Sequence, residues 1–203
     1  MASKNPDRPN VLFILSDDQG PWAMNSAGTW ELKTPNLDRL AATGVRFENF
    51  FCASPVCSPA RASILTGQMP SQHGVQDFLR RGNSAELPAD GERIQYLEGR
   101  QTYVQILRDH GYDCGLSGKW HLGDAVVPQA GFEFWDVHQS GSGDYFHAPM
   151  FKDGESYYPD GYISDVFTDS AIEYLSSQIV SERPFCICLL YTSPSPRDQR
   201  GSR

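Results

Sequence analysis

Val11-Leu12-Phe13-Ile14-Leu15 limits the fold more than any other stretch of this 203-residue chain. These apolar residues follow one another without a polar partner and stop abruptly at Ser16-Asp17-Asp18-Gln19-Gly20. A strand with one wet face alternates, so an unbroken run of this kind reads as a strand covered on both faces, inside a parallel sheet. Open α/β sheets take their ligands outside the carboxyl ends of their strands, and Asp17 and Asp18 stand at such an end. Adjacent carboxylates repel, which makes a hard divalent cation the fitting neutraliser. Carboxylate oxygens select calcium, or less readily magnesium, over softer metals. A solvated pair of loop acids is the competing reading.

The length suits one ordinary domain with a core of its own. Lys and Arg number 17 against 25 Asp and Glu, a net charge of −8 that argues against nucleic acid as the main partner. Any anion site must then be a local positive pocket on an acidic body. No apolar run approaches the length of a membrane span, and the first ten residues are polar, with no signal-type apolar stretch. The cysteines (Cys52, Cys57, Cys114, Cys186 and Cys188) are odd in number and scattered, with neither zinc-site spacing nor the look of a disulfide framework.

Along the chain, residues 34–44 read as a packing helix capped by Thr34, with Pro35 at its start, Leu37, Leu40 and Ala41 on its apolar face and Gly44 as its stop. Residues 45–51 read as a half-buried strand, and Cys52 as core. The polar span 80–98 reads as a surface excursion whose Arg80, Arg81 and Asn83 are candidates for holding the remainder of a polar substrate. Thr102 caps a helix carrying Tyr103, Ile106, Leu107 and His110 that Gly111 ends, and residues 112–116 form a short strand. Residues 124–160 are rich in rings, which fits a pocket wall or plain core filling equally. His138 and His147 in this span are not assigned to the site. Ser164 is expected to cap a helix with Phe167, Ala171, Tyr174 and Leu175 on one face, and residues 184–187 begin another buried strand.

The chemistry concentrates in two places. Cys57-Ser58-Pro59-Ala60-Arg61 runs on into Ala62-Ser63-Ile64-Leu65-Thr66-Gly67. Pro59 suits the first position of a helix and Gly67 its end, so Cys57 is expected just before a short helix whose free N–H groups face it, a place for an anion. Arg61 can swing back toward Cys57 and add a permanent charge with a forked donor set. Taken alone, these residues fit an activated thiolate nucleophile or a small buried hydrophobe. The second place is Ser117-Gly118-Lys119-Trp120-His121-Leu122-Gly123, where a cation and an imidazole lie just past a strand between glycines that let backbone approach a ligand. Lys119 can ground an anionic oxygen, and His121 can donate to developing charge or to a nucleophile's hydroxyl. A surface lysine and a satisfied core histidine are the plainer alternatives.

Cys57-x-Pro59-x-Arg61 with Leu65-Thr66-Gly67, followed by Gly118-Lys119-Trp120-His121-Leu122-Gly123, resembles the two signatures of the type I sulfatases. The Asp17-Asp18 pair and the run Tyr162-x-Ser164-Asp165 with Thr168-Asp169 are similar to the same family. The resemblance implies an alkaline-phosphatase-like α/β sandwich, truncated here, with a central, mostly parallel sheet flanked by helices. It implies that Cys57 is oxidised after translation to formylglycine and becomes the nucleophile, with Arg61 holding it, Lys119 and His121 on sulfate, and Asp17, Asp18 and position 57 on calcium. The implied reaction is hydrolysis of sulfate monoesters, with carbohydrates as the expected carriers. The implied partners are a sulfated small-molecule or carbohydrate substrate and a formylglycine-generating or anaerobic maturation enzyme. A phosphonate or phosphate ester hydrolase, and a non-catalytic anion-binding relative that keeps its thiol, stay open beside it.

The resemblance covers residues 9–187. In the family, the strand that starts at Arg183-Pro184-Phe185 leads to a loop ending in Ala-Pro-His. Here the chain reads Cys188-Leu189-Leu190-Tyr191-Thr192-Ser193-Pro194-Ser195-Pro196-Arg197-Asp198, which resembles a transposon-type sequencing adapter translated in frame. The expectation is the N-terminal part of a catalytic domain over 9–187 and a non-native tail over 188–203. With it go a weak calcium site, poor folding and no activity for these 203 residues alone. As written, the chain reads as cytoplasmic; a periplasmic or secreted parent follows if its start is incomplete.

Overall fold

A computed structural model describes residues 7–80, 93–141 and 143–192. Its centre is one six-stranded sheet. Four strands lie parallel in the order β1 (Val11–Asp17), β6 (Phe185–Thr192), β2 (Asp113–Lys119) and β3 (Phe134–His138). An antiparallel hairpin, β4 (Met150–Lys152) and β5 (Glu155–Tyr157), extends the sheet beyond β3. The α/β class and the mostly parallel sheet are as expected. Among the described residues, no helix is long and apolar enough to cross a membrane.

The middle strand, β6, shows why the sheet holds. Successive side chains of a strand point to opposite faces. Phe185, Ile187 and Leu189 therefore pack with Phe167, Ala171 and Tyr174 of α5 (Ile163–Ser177). Cys186, Cys188 and Leu190 face the other way, into a core with Leu116, Trp120, Trp135 and Val104. Both sides are dry, as the apolar run of a central parallel strand requires. β6 crosses position 188 without a break, and Cys188, Leu189 and Leu190 are all buried.

β1 departs from the reading of its sequence. Val11, Phe13 and Leu15 pack on the core, but Leu12 and Ile14 are each 49% exposed. α5 lies over β2, β6 and β3 rather than over β1, which occupies the sheet edge. One face of the run is thus uncovered.

The helix α1 (Pro35–Thr43) buries none of its residues, and Leu40 is 63% exposed. Thr34 occupies its N-cap position, Pro35 its first and Gly44 its stop, as expected, but the Thr34 side chain makes no capping hydrogen bond. Its hydroxyl accepts from the Asn25 N–H at 3.0 Å and donates to Asp38 at 3.1 Å. Residues 45–51 form no strand: Phe47, Phe50 and Phe51 stand in solvent, since no neighbouring strand offers them a ladder, and Cys52 is exposed rather than core. The cap of α4 (Tyr103–Asp109) is as expected, with Thr102 accepting from the Gln105 N–H at 3.2 Å in a reciprocal capping box. α5 begins one residue before Ser164, and Tyr162 occupies the cap position. Phe167, Ala171 and Tyr174 are buried on one face, with Leu175 half-buried beside them.

Candidate active site

The signature helix α2 (Cys57–Thr66) starts two residues earlier than Pro59 suggested, with Val56 extended at the cap and Cys57 as the first helical residue. Pro59 still sits in the first turn, where a missing N–H leaves no intrahelical bond unmade. Gly67, at φ +68°, closes the helix in the left-handed conformation that glycine adopts without penalty. Ala62 and Leu65 anchor α2 in the core. Its following turn is tied down by His73 of α3 (Pro70–His73). The Nδ1 atom of His73 accepts from the Val75 N–H at 3.1 Å, so its Nε2–H donates to Ser63 Oγ at 2.9 Å.

Three carboxyl strand ends and the first turn of α2 meet in a cleft of about 1130 Å³. β1 brings Asp17 and Asp18, β2 brings Lys119, β3 brings His138, and α2 brings Cys57 and Arg61. Cys57 is a free, half-buried thiol on the cleft wall. Gly118, at φ +121°, lets β2 press against β6: a Cβ there would stand 2.0 Å from the Leu190 carbonyl oxygen. No other residue type would place Lys119 at this point of the edge.

Asp17 is the electrostatic centre. Its Oδ2 lies 2.6 Å from Lys119 Nζ and 3.0 Å from Arg61 Nη2, while Arg61 Nη1 donates to the Lys119 carbonyl at 2.6 Å. Burial alone would raise the carboxyl pKa, but the two cations outweigh it and hold Asp17 below the ordinary range. Arg61 Nε is buried without a hydrogen-bond partner among the described residues. Arg61 and Lys119 thus gather two cations beside the N-terminus of a helix, with Asp17 between them and Asp18 on the same lining.

His121 is placed differently from its neighbours in the signature. It is 2% exposed and is not part of the cleft lining. Its Nε2–H donates to the Leu79 carbonyl at 3.0 Å, its Nδ1 is buried and unpartnered, and the ring of Phe78, which does line the cleft, meets it edge-on at 4.5 Å. Burial, with Lys119 adding to it, pushes the His121 pKa down to about 4, so the ring is neutral. Arg80 is exposed and outside the cleft lining, and Arg81 and Asn83 lie outside the described residues. His147 is exposed and pairs with Asp160 at 3.4 Å.

The aromatic segment divides between the two roles proposed for it. Trp135 and Phe132 join Trp120 in a buried cluster, whereas Tyr145 lines the cleft. His138, unassigned from sequence, lines the cleft as well. The overlooked signal was its register: it pairs with Lys119 across β2 and β3, at the same carboxyl edge.

Calcium takes six to eight oxygen ligands, roughly. Among the described residues, no group of three or more His, Cys, Asp or Glu side chains converges as a metal site. Of the three carboxylates that line the cleft, Asp17, Asp18 and Asp144, the first already has Oδ2 bound to Lys119 and Arg61. The described residues do not form a calcium cage.

Fold and cleft together define an α/β protein with a cleft at the carboxyl edge of its parallel strands, where two buried cations stand with a thiol. The profile of the Sulfatase family matches residues 9–196, and the chain belongs to that family. It is 32% identical over 191 residues to an N-acetylglucosamine-6-O-sulfatase of Bacteroides thetaiotaomicron, covering 93% of this chain and 31% of that protein. It is 31% identical over 211 residues to an N-acetylgalactosamine-6-sulfatase of Canis lupus familiaris, covering 91% of this chain and 39% of that one. A solved structure of a protein in complex with its substrate D-glucosamine-2-N,6-O-disulfate superposes with a TM-score of 0.78 at 31% identity, over 93% of this chain and 35% of the other. The chain thus spans about a third of the length of these relatives.

Proposed function

We propose that this chain carries the sulfate-handling part of a sulfuric ester hydrolase acting on sulfated carbohydrates, with Cys57 converted to formylglycine. The observation that carries the reading is the meeting of Cys57 and Arg61 of α2 with Lys119 of β2 in one cleft of a Sulfatase-family chain. Cys57 fits the conversion because it is a free thiol at the cleft surface, open to a maturation enzyme. As a formylglycine hydrate, position 57 would offer one hydroxyl to attack sulfur and a second whose collapse to the aldehyde lets sulfate leave, which an unmodified thiol cannot do.

The chain's own residues supply the field. Lys119 and Arg61 hold positive charge, and the first turn of α2 adds free N–H groups. A sulfate ester arriving in the cleft competes with Asp17 for both cations, so binding exchanges one anion for another rather than burying new unpaired charge. His121 lies behind Phe78 and acts from there as a neutral support for the wall. Calcium remains a proposal for a longer form of the protein that contributes further oxygen ligands. The names of the two relatives favour a hexosamine 6-sulfate as the substrate class.

Co-expression with a formylglycine-generating enzyme tests the reading. The peptide bearing Cys57 is expected to become lighter than its thiol form and to trap a hydrazide. Release of sulfate from N-acetylglucosamine 6-sulfate by the longest form of the protein is expected to be lost on Cys57→Ala. Full activity with alanine at that position, or with the thiol unconverted, would overturn the proposal. Turnover of an aryl phosphonate in preference to the sulfate would reassign the reaction.

A further inference from the structure

The cations and the thiol account for the charged part of the cleft and leave its apolar lining without a role. Phe78 belongs to that lining and is 41% exposed. One exposed ring is ordinary on a protein surface. What sets Phe78 apart is how the chain beside it is held. The next residue, Leu79, is fastened through both of its backbone groups: its N–H donates to Ser58 Oγ at 3.3 Å, and its carbonyl accepts from His121 Nε2 at 3.0 Å. Ser58 is fully buried in the first turn of α2, directly after Cys57, and His121 follows Lys119 by two residues. The backbone next to Phe78 is therefore tied to both signature segments, which places the ring near the thiol and the cation alike.

The ring also has a firm backing. It meets the His121 imidazole edge-on, with centroids 4.5 Å apart and planes at 74°. The imidazole is packed in turn against the backbone of Gly141, where a Cβ would stand 2.1 Å from its Nε2 and Cε1 atoms. His121 has no room to turn away, so the ring it supports stays on the cleft wall.

A phenyl ring in this position offers neither charge nor a hydrogen bond. It offers flat apolar area and a π face that carries partial negative charge, and the C–H bonds on the face of a pyranose ring match both. We propose that Phe78 forms a sugar-ring subsite, its exposed ring packing on the C–H face of the pyranose whose sulfate ester is held by Arg61 and Lys119. The inference rests on the sulfatase reading and deepens it, because it names the contact that recognises the carrier rather than the ester. Such a contact favours a cyclic sugar sulfate over sulfate itself or a short alkyl sulfate.

Titration calorimetry on the 203-residue chain tests it, with inorganic sulfate, methyl sulfate and N-acetylglucosamine 6-sulfate as probes. Phe78→Ala is expected to weaken the sugar sulfate about fivefold to tenfold, the weight of one ring contact, and to leave the other two within about twofold. Phe78→Tyr, which keeps the π face, is expected to bind the sugar as the parent does. Phe78→Leu keeps apolar bulk against His121 but has no ring, so it is expected to hold the urea midpoint of the parent and to bind the sugar more nearly as the alanine variant does. Full recovery of sugar binding by leucine, equal weakening of all three ligands by alanine, or a parent that binds the sugar no better than methyl sulfate would overturn the role of Phe78. Failure of the unaltered chain to bind inorganic sulfate would instead defeat the sulfatase reading on which it rests.

Discussion

Replacing Asp17 by asparagine keeps the volume and removes the charge, leaving the neighbouring Lys119 and Arg61 without their shared counter-charge. The side chains of these two cations are only 8% and 4% exposed, and Asp17 itself is 13% exposed, so little solvent screens the change. Removing one partner of a buried ion pair costs about 3–5 kcal/mol, because a charge is left desolvated and unpaired. Here two cations share the loss, which puts Asp17→Asn at the upper part of that range. Against a typical domain stability of about 5–15 kcal/mol, this is a large fraction. The same geometry predicts a specific rescue. Sulfate can take the place of the missing carboxylate, and an anion at a hundred times its Kd contributes about 2.7 kcal/mol by mass action. In the parent chain sulfate must first displace Asp17, so its gain is smaller. Urea unfolding followed through the buried Trp120 and Trp135, in sulfate and in chloride of equal ionic strength, reads both effects. A variant within about 1 kcal/mol of the parent, far below the loss expected of a buried pair, would refute the argument. So would equal stabilisation of both proteins by sulfate.

Two further outcomes follow from the site. The folded His121 pKa of about 4 lies below the ordinary 6.5, so the unfolded chain takes up a proton first as pH falls. The contribution of this residue is therefore complete above pH 6.5 and is lost progressively between 6.5 and 4, worth about 3 kcal/mol. His121→Gln is expected to flatten that part of the pH dependence of the urea midpoint, and an unchanged slope would contradict the burial argument. Gly118→Ala is expected to cost about 3 kcal/mol or more, since a Cβ pointing at the Leu190 carbonyl must push β2 off β6. A Tm close to that of the parent would show that the strand pair yields there.

The strand-and-helix order was legible because most of the signals are local. The box formed by Thr102 and Gln105 and the apolar face of Phe167, Ala171 and Tyr174 all announce themselves within a few residues. The errors came where the outcome depends on what lies opposite. Val11–Leu15 has the composition of a doubly covered strand, yet coverage of Leu12 and Ile14 depends on a neighbour that α5 does not provide. The alternation of residues 45–51 describes how a strand would sit on a sheet, but no sheet edge meets it.

The site divides along the same line. Which residue types belong to it was readable from the two signatures, because Cys57, Arg61 and Lys119 sit at a helix start or a strand end that fixes their direction. How they pair was not, because Asp17, Arg61 and Lys119 meet only after β1, α2 and β2 have packed. The histidines make the point most clearly. His121 lies two residues past Lys119 in the chain, but the backbone turns at φ +56° there and carries the ring behind Phe78. His138 lies nineteen residues away in sequence and one strand away in space, and it is the one on the wall. Spacing in sequence therefore identifies the cation of this cleft, and sheet register identifies the histidine that stands next to it.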